Sequence, residues 1–198
     1  GGLGDDYQRS VWMTLGMTGR FFVEEGGGGD APRARPSDGT KGGGPRWRMD
    51  FLDPTTGSKT RVYYHDARNF GTVRFSLSKS ELDSKLDSLG PDMLEDGTTE
   101  DRFLERMGRT RSTTNVCRFL MDQSKVAGVG NYILAEGLYR AGIDPFASLG
   151  ELDDDQRSLL FRELRDVARS SYEAKGLTRR DGGTYRDADG RKGEFGFQ

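Results

Sequence analysis

The stretch that decides the fold runs from Asn115 to Pro145 and reads NVCRFLMDQSKVAGVGNYILAEGLYRAGIDP. Apolar residues recur at helical spacing on both sides of a tight glycine turn, Gly128-Val129-Gly130. The pattern predicts helix, turn, helix. A helix that starts at Gly130-Asn131 presents N–H groups without intrahelical acceptors at the positive end of its dipole, which makes an anion site. On spacing alone, a packing turn between two core helices is the favoured interpretation, and the anion site is the alternative.

Composition limits the kinds of protein this can be. The chain has 198 residues, of which 33% are hydrophobic and 29 are glycine, and its formal net charge is −2. These values predict one or two domains with a modest core and long loops. The slight acidity argues against nucleic-acid binding over the whole surface, so any such site must be a local patch. The single cysteine, Cys117, excludes an intrachain disulfide and a multi-cysteine zinc site, which fits an intracellular protein.

Neither a membrane span nor a leader peptide is predicted. No apolar run approaches the ~18 residues that a spanning helix needs, so we expect no membrane partner. The first residues, GGLGDDYQRS, lack the basic and then apolar pattern of a secretory leader. They also lack an initiating Met, so we expect a fragment or a processed product.

The order of secondary structure predicts the fold class. Strands are predicted over residues 11–25, 47–52, 60–65 and 72–77. The glycine-rich insert at 26–45 has no large apolar anchor and is expected to be a disordered loop. Helical spacing begins at Ser78, and helices are predicted over 78–89, 99–109, on each side of the glycine turn, and from Asp153–Asp155 to about Lys175. Strands followed by helices predict an α+β fold with two segregated parts.

Few residues suggest bond-making chemistry. His65 beside Asp66 could form a hydrolytic dyad, but no Ser or Cys is marked as its partner, so a turn-forming pair is favoured. Glu136 follows Asn131 on the same predicted helix and is expected to be a cap or network partner rather than a general base. One histidine and one distant cysteine predict no metal site.

The stronger signal is a set of groups suited to DNA. Asn131 and the neighbouring N–H of Gly130 can donate to a phosphate. Lys125 and Arg118 lie near the same turn, although either could be a solvent-facing charge. Arg68 and Phe70, two residues apart, combine the cation and the aromatic ring that can fill a gap in a base stack. Their alternative interpretation, which the physics alone favours, is a surface charge beside a core aromatic.

Five short motifs occur in order: Leu15-Gly16-Met17-Thr18-Gly19, Asp66-Ala67-Arg68-Asn69-Phe70-Gly71, Leu89-Gly90-Pro91-Asp92, Leu120-Met121-Asp122-Gln123 with Gly128-Val129-Gly130-Asn131-Tyr132, and Gly182-Gly183-Thr184. In this order they resemble the formamidopyrimidine-DNA glycosylase / endonuclease VIII (Fpg/Nei) family. The fourth motif is highly specific, and the others support it by their order and spacing.

The resemblance implies a two-domain enzyme with DNA in the cleft between the domains. Residues 1–77 would form part of an N-terminal antiparallel β-sandwich, and 78–182 an all-helical domain with a helix-two-turn-helix. Residues 183–198 would begin a truncated C-terminal segment. Such enzymes flip out an oxidised base, cleave its glycosidic bond and nick the strand by β/δ-elimination. By motif, Met17, Arg68 and Phe70 would fill the void left by the flipped nucleotide, and Asn131 would hold phosphates.

The chain also departs from the family pattern. The family's nucleophile is an N-terminal proline amine supported by a glutamate, and Schiff-base chemistry needs that amine. This chain begins with Gly1, so we expect no catalytic residue within it and no activity of these residues alone. Thr14 stands where many members have a phosphate-contacting His, and Cys117 where many have a Lys. A short segment after Gly183 favours oxidised pyrimidines as substrates. No cofactor is expected here, and zinc would belong only to a C-terminal hairpin beyond this chain.

Two function classes remain open at this point. The first is a base-excision-repair DNA glycosylase and AP lyase, expected to be a monomer that binds damaged double-stranded DNA, nuclear if the source is eukaryotic. The second is a non-catalytic nucleic-acid-binding protein with a helix-two-turn-helix. A structural or partner-binding module would be favoured over both if Asn131 had no role in DNA affinity.

Overall fold

The computed structural model of the chain describes residues 9–16, 19–25, 45–176 and 195–196. The chain divides into two compact units, a strand unit and a helical unit, and the division lies within a helix between Leu82 and Asp83. The predicted boundary lay between Leu77 and Ser78, just before the same helix. Met17, most of the insert at 26–45, and the motif at 182–184 lie outside the described residues.

The strand unit contains two small antiparallel sheets within the described residues. Its strands are β1 (Ser10–Thr14), β2 (Arg20–Glu25), β3 (Trp47–Leu52), β4 (Lys59–His65) and β5 (Thr72–Ser76). β1 pairs with β5, with Thr14 opposite Thr72, and the second sheet has the order β2-β4-β3. The antiparallel strands and helices confirm the predicted α+β class.

The strands predicted over residues 11–25 are confirmed as β1 and β2. The chain turns between them and enters a different sheet, which the prediction did not specify. Gly16 has a φ of +57°, and the Gly19 N–H donates to the Leu15 carbonyl at 2.8 Å. A left-handed residue at this point suits glycine and ends the strand. The strands predicted at 47–52 and 60–65 are confirmed as β3 and β4, which form a hairpin with its turn at Asp53–Gly57.

The helices confirm the second half of the prediction. Five α-helices occur within the described residues: α1 (Lys79–Asp87), α2 (Glu100–Gly108), α3 (Val116–Met121), α4 (Asn131–Arg140) and α5 (Asp154–Glu173). Thr99, Asn115 and Asp153 cap α2, α3 and α5, each accepting a backbone N–H with its side chain. Each such cap stabilises its helix by roughly 0.5–2 kcal/mol.

The core of the helical unit joins all four helices that follow α1. The largest fully buried apolar side chains are Phe103, Phe119, Met93, Leu120, Leu160 and Leu164. Burial of each such side chain contributes about 1.5–3 kcal/mol. Gly137 lets α4 approach α5 closely, because a Cβ there would lie 2.6 Å from Leu164 Cδ2. The packing of α4 on α5 therefore fixes the position of α4 in the helical unit.

Phe195 lies in a C-terminal stretch of mostly polar residues. Its side chain is buried within the helical unit's core, and its N–H donates to the Gly176 carbonyl at 3.0 Å. Its ring lies 6.5 Å from that of Tyr132, the second residue of α4. The hydroxyl of Tyr132 is 2.7 Å from that of Ser171 on α5. These contacts anchor the first turn of α4 from behind.

Candidate nucleic-acid interface

The link between α3 and α4 makes two successive turns. In the first, the Asp122 carbonyl accepts the N–H groups of Lys125 at 2.7 Å and Val126 at 3.0 Å. In the second, Gly128 takes a left-handed φ of +82°. The two turns bring the chain from the end of α3 to the start of α4. This is the geometry that the term helix-two-turn-helix describes.

The side chain of Gln123 holds the second turn together. Its Nε2 donates to the Val129 carbonyl at 2.8 Å, and its Oε1 accepts the Gly128 N–H at 3.1 Å. One side-chain amide therefore satisfies a backbone donor and a backbone acceptor on successive residues. Sequence reasoning quoted Gln123 within a motif but assigned it no role. The signal that could have indicated this role is a side-chain amide five residues before a glycine turn.

The third motif lies directly behind this turn. The Gly90 N–H donates to the Gln123 carbonyl at 2.8 Å, and the Pro91 carbonyl accepts the Ala127 N–H at 2.9 Å. A Cβ on Gly90 would lie 2.3 Å from the carbonyl carbon and oxygen of Lys125, so only glycine fits. The third and fourth motifs are thus parts of one structure, which the sequence could not show.

The start of α4 is the chemically open part of this structure. Gly130 is the N-cap residue, in an extended conformation with φ −116° and ψ −177°, and provides no side-chain cap. The first intrahelical bond runs from the Leu134 N–H to the Gly130 carbonyl at 2.9 Å. No described residue accepts the N–H groups of Asn131, Tyr132 or Ile133. With the dipole of α4 behind them, these donors suit an anion.

The predicted polar residues lie around this opening. Asn131 is exposed at the first position of α4, Arg118 is exposed on α3, and Lys125 is half-buried in the first turn. The pKa of Asp122 is lowered, mainly by hydrogen bonds from Ser124 and further by the charges of Lys125 and Arg118. The two cations therefore act on one carboxylate at the end of α3. Both interpretations of the turn are compatible with this arrangement. Val126, Ala127 and Val129 are buried, as a packing turn requires, while the N–H groups at the start of α4 remain available to an anion.

A second set of predicted residues lies in the strand unit, on the loop from Asp66 to Gly71. The buried Asp66 carboxylate organises this loop, accepting the Gly71 N–H at 2.7 Å, the Arg68 N–H at 3.2 Å and the Tyr64 hydroxyl at 3.2 Å. Burial, and then the charge of Asp66, raises the pKa of Tyr64. Asp66 therefore has a structural role, in agreement with the turn-forming interpretation of the His65–Asp66 pair.

The tip of this loop exposes Arg68 and Phe70. Phe70 is 61% exposed, so the interpretation of Phe70 as a core aromatic is wrong. Between them Asn69 has a φ of +56°, a conformation that turns the loop. Gly16 lies against this tip, because a Cβ on it would be 2.9 Å from the Phe70 Cβ. The first and second motifs thus meet in the strand unit, while Met17 itself lies outside the described residues.

The remaining candidates have structural roles. The buried Glu136 carboxylate pairs with Arg140 at 2.8 Å, and Arg140 also contacts Asp166 at 2.9 Å, which confirms Glu136 as a network partner. The hydroxyl of Thr14 lies 2.8 Å from that of Thr72 across β1 and β5.

Two absences concern the described part of the chain. Within it, no group of three or more His, Cys, Asp or Glu side chains is arranged to hold a metal ion. None of its helices combines the length and the apolar character that crossing a bilayer requires.

Comparisons with known proteins agree with this geometry. The family model of the formamidopyrimidine-DNA glycosylase H2TH domain matches residues 89–181. The formamidopyrimidine-DNA glycosylase of Neisseria meningitidis is 32% identical over 179 residues, which cover 90% of this chain and 62% of that protein. Its counterpart in Nitratidesulfovibrio vulgaris is 37% identical over 193 residues, covering 96% and 46%.

A solved structure shares the fold. The complex of Lactococcus lactis Fpg with DNA containing an abasic site matches with a TM-score of 0.70 at 22% identity, over 96% of this chain and 61% of that one. The chain spans 46% to 62% of the length of the two relatives described above. With the motifs in order and the two-turn link between α3 and α4, residues 89–181 form the H2TH domain of the formamidopyrimidine-DNA glycosylases, and the chain is similar to these glycosylases over most of its length.

Proposed function

We propose that this chain is part of a base-excision-repair DNA glycosylase and AP lyase that acts on oxidised bases. In this proposal the described residues bind duplex DNA and fill the void left by a flipped nucleotide. The relatives from Neisseria meningitidis and Nitratidesulfovibrio vulgaris are named formamidopyrimidine-DNA glycosylase, which supports the proposal. The Lactococcus lactis relative was solved in complex with abasic-site DNA.

The observation that carries the proposal is the uncapped start of α4. Three backbone N–H groups without described acceptors, an exposed Asn131 and the positive end of the helix dipole converge there. A DNA phosphate would satisfy these donors, with Lys125 and Arg118 adding positive charge around it. A phosphate contact of this kind positions the duplex without reading its sequence, as damage recognition at any sequence requires.

The strand unit supplies the second half of the proposal. A protein that takes a base out of the stack must replace the lost stacking and pairing. The exposed Phe70 ring offers an apolar wedge, and the exposed Arg68 offers donors to the unpaired partner base. We include Met17 in this role because it follows Gly16, which contacts Phe70.

We assign none of the described residues to bond cleavage. Asp66 organises its own loop and Glu136 belongs to a buried ion pair. The proposed contributions of these residues are binding and positioning. Both act on the rate by holding the reacting atoms in place.

An assay on the full protein tests the reaction class. A duplex with one ring-opened purine, a second with one oxidised pyrimidine and an undamaged duplex are incubated with the protein. We expect strand cleavage at a lesion only, with the oxidised pyrimidine preferred. Duplex binding without cleavage of either damaged substrate would instead support the non-catalytic DNA-binding protein.

A binding measurement tests the phosphate site separately. Replacement of Asn131 by Ala should weaken duplex affinity by about 1–3 kcal/mol, as expected when a hydrogen bond to a charged group is lost. Thr113→Ala, an exposed polar position in the same unit, is the matched control and should bind as the wild type does. Equal affinities for Asn131→Ala and wild type would remove Asn131 from the interface.

A further inference from the structure

Helix α2 exposes a row of arginines that the proposed function does not use. Arg102, Arg106 and Arg109 follow one another at spacings of four and three residues, so they lie on one face of the helix. Arg102 and Arg109 are exposed and Arg106 is half-buried. At 1.5 Å per residue, the row extends about 10 Å along the helix axis.

A small cavity lies between this face and Pro91. It has a volume of about 140 Å³ and is lined by Pro91, Arg102, Glu105, Arg106 and Arg109. A water molecule occupies about 30 Å³ in the liquid, so the cavity can hold an oxyanion with part of its hydration. Four of its five lining residues are charged, and three of those are cations.

Two of the three cations of this row are not neutralised by a carboxylate of the described residues. Glu105 is engaged by Arg109 at 2.6 Å. No carboxylate of a described residue forms an ion pair with Arg102 or Arg106. Two guanidinium groups on one cavity wall, without counter-charges, raise the local affinity for an anion.

Helix stability accounts for only part of the row. Arg106 and Arg109 lie near the C-terminal end of α2, where the dipole favours a cation. Arg102 lies in the first turn, where the same dipole disfavours one. The helix dipole therefore does not explain its position, whereas a bound polyanion would give it a favourable partner.

The cavity wall and the glycine turn share one short segment of the chain. Pro91 lines the cavity, and its carbonyl accepts the Ala127 N–H at 2.9 Å. The next residue, Asp92, lies beside the glycine turn, because its Oδ1 would be 3.0 Å from a Cβ on Gly128. Adjacent residues thus join the two cationic sites, and an extended polyanion such as a nucleic-acid strand fits two such sites better than a compact acidic ligand does.

We infer that Arg102 and Arg106 bind the phosphate backbone of the same duplex, beyond the phosphate held at α4. The inference rests on the proposed DNA binding and extends its footprint. Guanidinium groups fit phosphate oxygens in a bidentate manner. Phosphates recur every 3.4 Å of axis along one strand, so a 10 Å row spans more than one of them. These contacts would add affinity without sequence preference.

The salt dependence of binding to undamaged duplex tests this inference. The double variant Arg102→Gln and Arg106→Gln should reduce the slope of log affinity against log salt by about two, because each lost phosphate contact removes nearly one released ion. Affinity at low salt should fall at least ~10-fold. Gln keeps the helix propensity of Arg, so the unfolding midpoint should not change. Arg162→Gln, an exposed arginine on α5, is the control and should keep the wild-type slope.

The outcomes separate the inference from the proposed function. Loss of affinity in Asn131→Ala, with a wild-type slope in the double arginine variant, would overturn the inference and leave the proposed function intact. Absence of duplex binding by the wild type would overturn both. Wild-type DNA binding by the double variant together with lost binding to polyglutamate would assign the row to an acidic protein partner and also overturn the inference.

Discussion

Gln123 accepts a hydrogen bond from the backbone N–H of Gly128 at 3.1 Å, across the turn that leads into α4. The same side chain donates to the Val129 carbonyl at 2.8 Å. Because Gly128 has a left-handed conformation, the backbone groups around it cannot form the regular hydrogen bonds of a helix or sheet. The Gln123 amide supplies hydrogen bonds in their place. The turn is therefore fixed before any ligand arrives, which lowers the cost of ordering it on binding.

Replacement of Gln123 by Ala removes both bonds and should loosen this turn. We expect the free energy of unfolding to fall by about 1–3 kcal/mol, as for two hydrogen bonds in a partly exposed site. Duplex affinity should fall as well, because the N–H groups of α4 lose their fixed direction. Denaturant unfolding and a DNA titration measure the two effects. Wild-type values in both would show that Gln123 does not hold the turn.

The sequence was sufficient for the local part of this site. Glycine spacing and apolar periodicity predicted the start of α4 at Gly130-Asn131, because both signals act over a few residues. The hydrogen bonds of the Gln123 side chain across the turn, and the close contact of Gly90 with the Lys125 backbone, could not be predicted in this way. They depend on which distant segments meet, and composition and periodicity carry no information about that.

The same limit explains what the sequence did not reveal about the strand unit and the C-terminal segment. β1 comes shortly before β2 in the sequence but pairs with β5. The pattern over 11–25 therefore could not reveal that the two strands belong to different sheets. Phe70 looked like a core residue because an aromatic side chain is usually buried, whereas Asp66 fixes its loop with the ring exposed. Phe195 lies in a polar stretch of sequence, and its burial comes from packing against a core that includes Tyr132, which is distant in sequence.

Phe70 and Phe75 form a matched pair for testing the void-filling role. Both belong to the strand unit and are similarly exposed, at 61% and 65%. Phe70→Ala should lower affinity for abasic-site DNA about 10-fold, by loss of one stacking contact of about 1–3 kcal/mol. Its unfolding free energy should change by less than ~0.5 kcal/mol, because little burial is lost.

Phe75→Ala is the control for that comparison. It removes an equally exposed ring that lies on β5, outside the loop of Arg68 and Phe70. We expect its affinity for abasic-site DNA to match the wild type. An equal loss in both variants would indicate a general effect of exposed aromatic rings rather than void filling by Phe70.

Cys117 should be unreactive at neutral pH. Burial, and then the negative charge of Asp144, raises the pKa of its thiol. The thiol also donates a hydrogen bond to the Pro145 carbonyl oxygen at 3.3 Å. A raised pKa leaves less thiolate than in free cysteine at any pH below it. Alkylation should therefore be slower than for free cysteine at the same pH, and its rate should reach half of its maximum only above pH 9.0.

Asp144→Asn provides the internal test of that cause. It removes the negative charge while keeping an oxygen that can accept the Phe146 N–H. Alkylation of Cys117 at a fixed, mildly alkaline pH should become faster. Fast labelling of the wild type at neutral pH would contradict the assigned direction of the pKa shift.

The open start of α4 is the central claim, and Gly130→Asp tests it most directly. Asp is a strong N-cap residue, so its carboxylate should accept N–H groups of the first turn and raise the unfolding free energy by a few tenths of a kcal/mol. A Cβ at Gly130 meets no atom within 4 Å, and its φ of −116° suits any residue. The side chain would then occupy the donors proposed for phosphate.

The decisive measurement is duplex affinity of Gly130→Asp at several salt concentrations, beside Arg162→Gln, which changes the net charge by the same amount. We predict a protein at least as stable as wild type whose affinity falls more than ~10-fold, while Arg162→Gln binds nearly as the wild type does. A Gly130→Asp variant that is folded and binds DNA with wild-type affinity would contradict the assignment of the α4 N-terminus as the phosphate site.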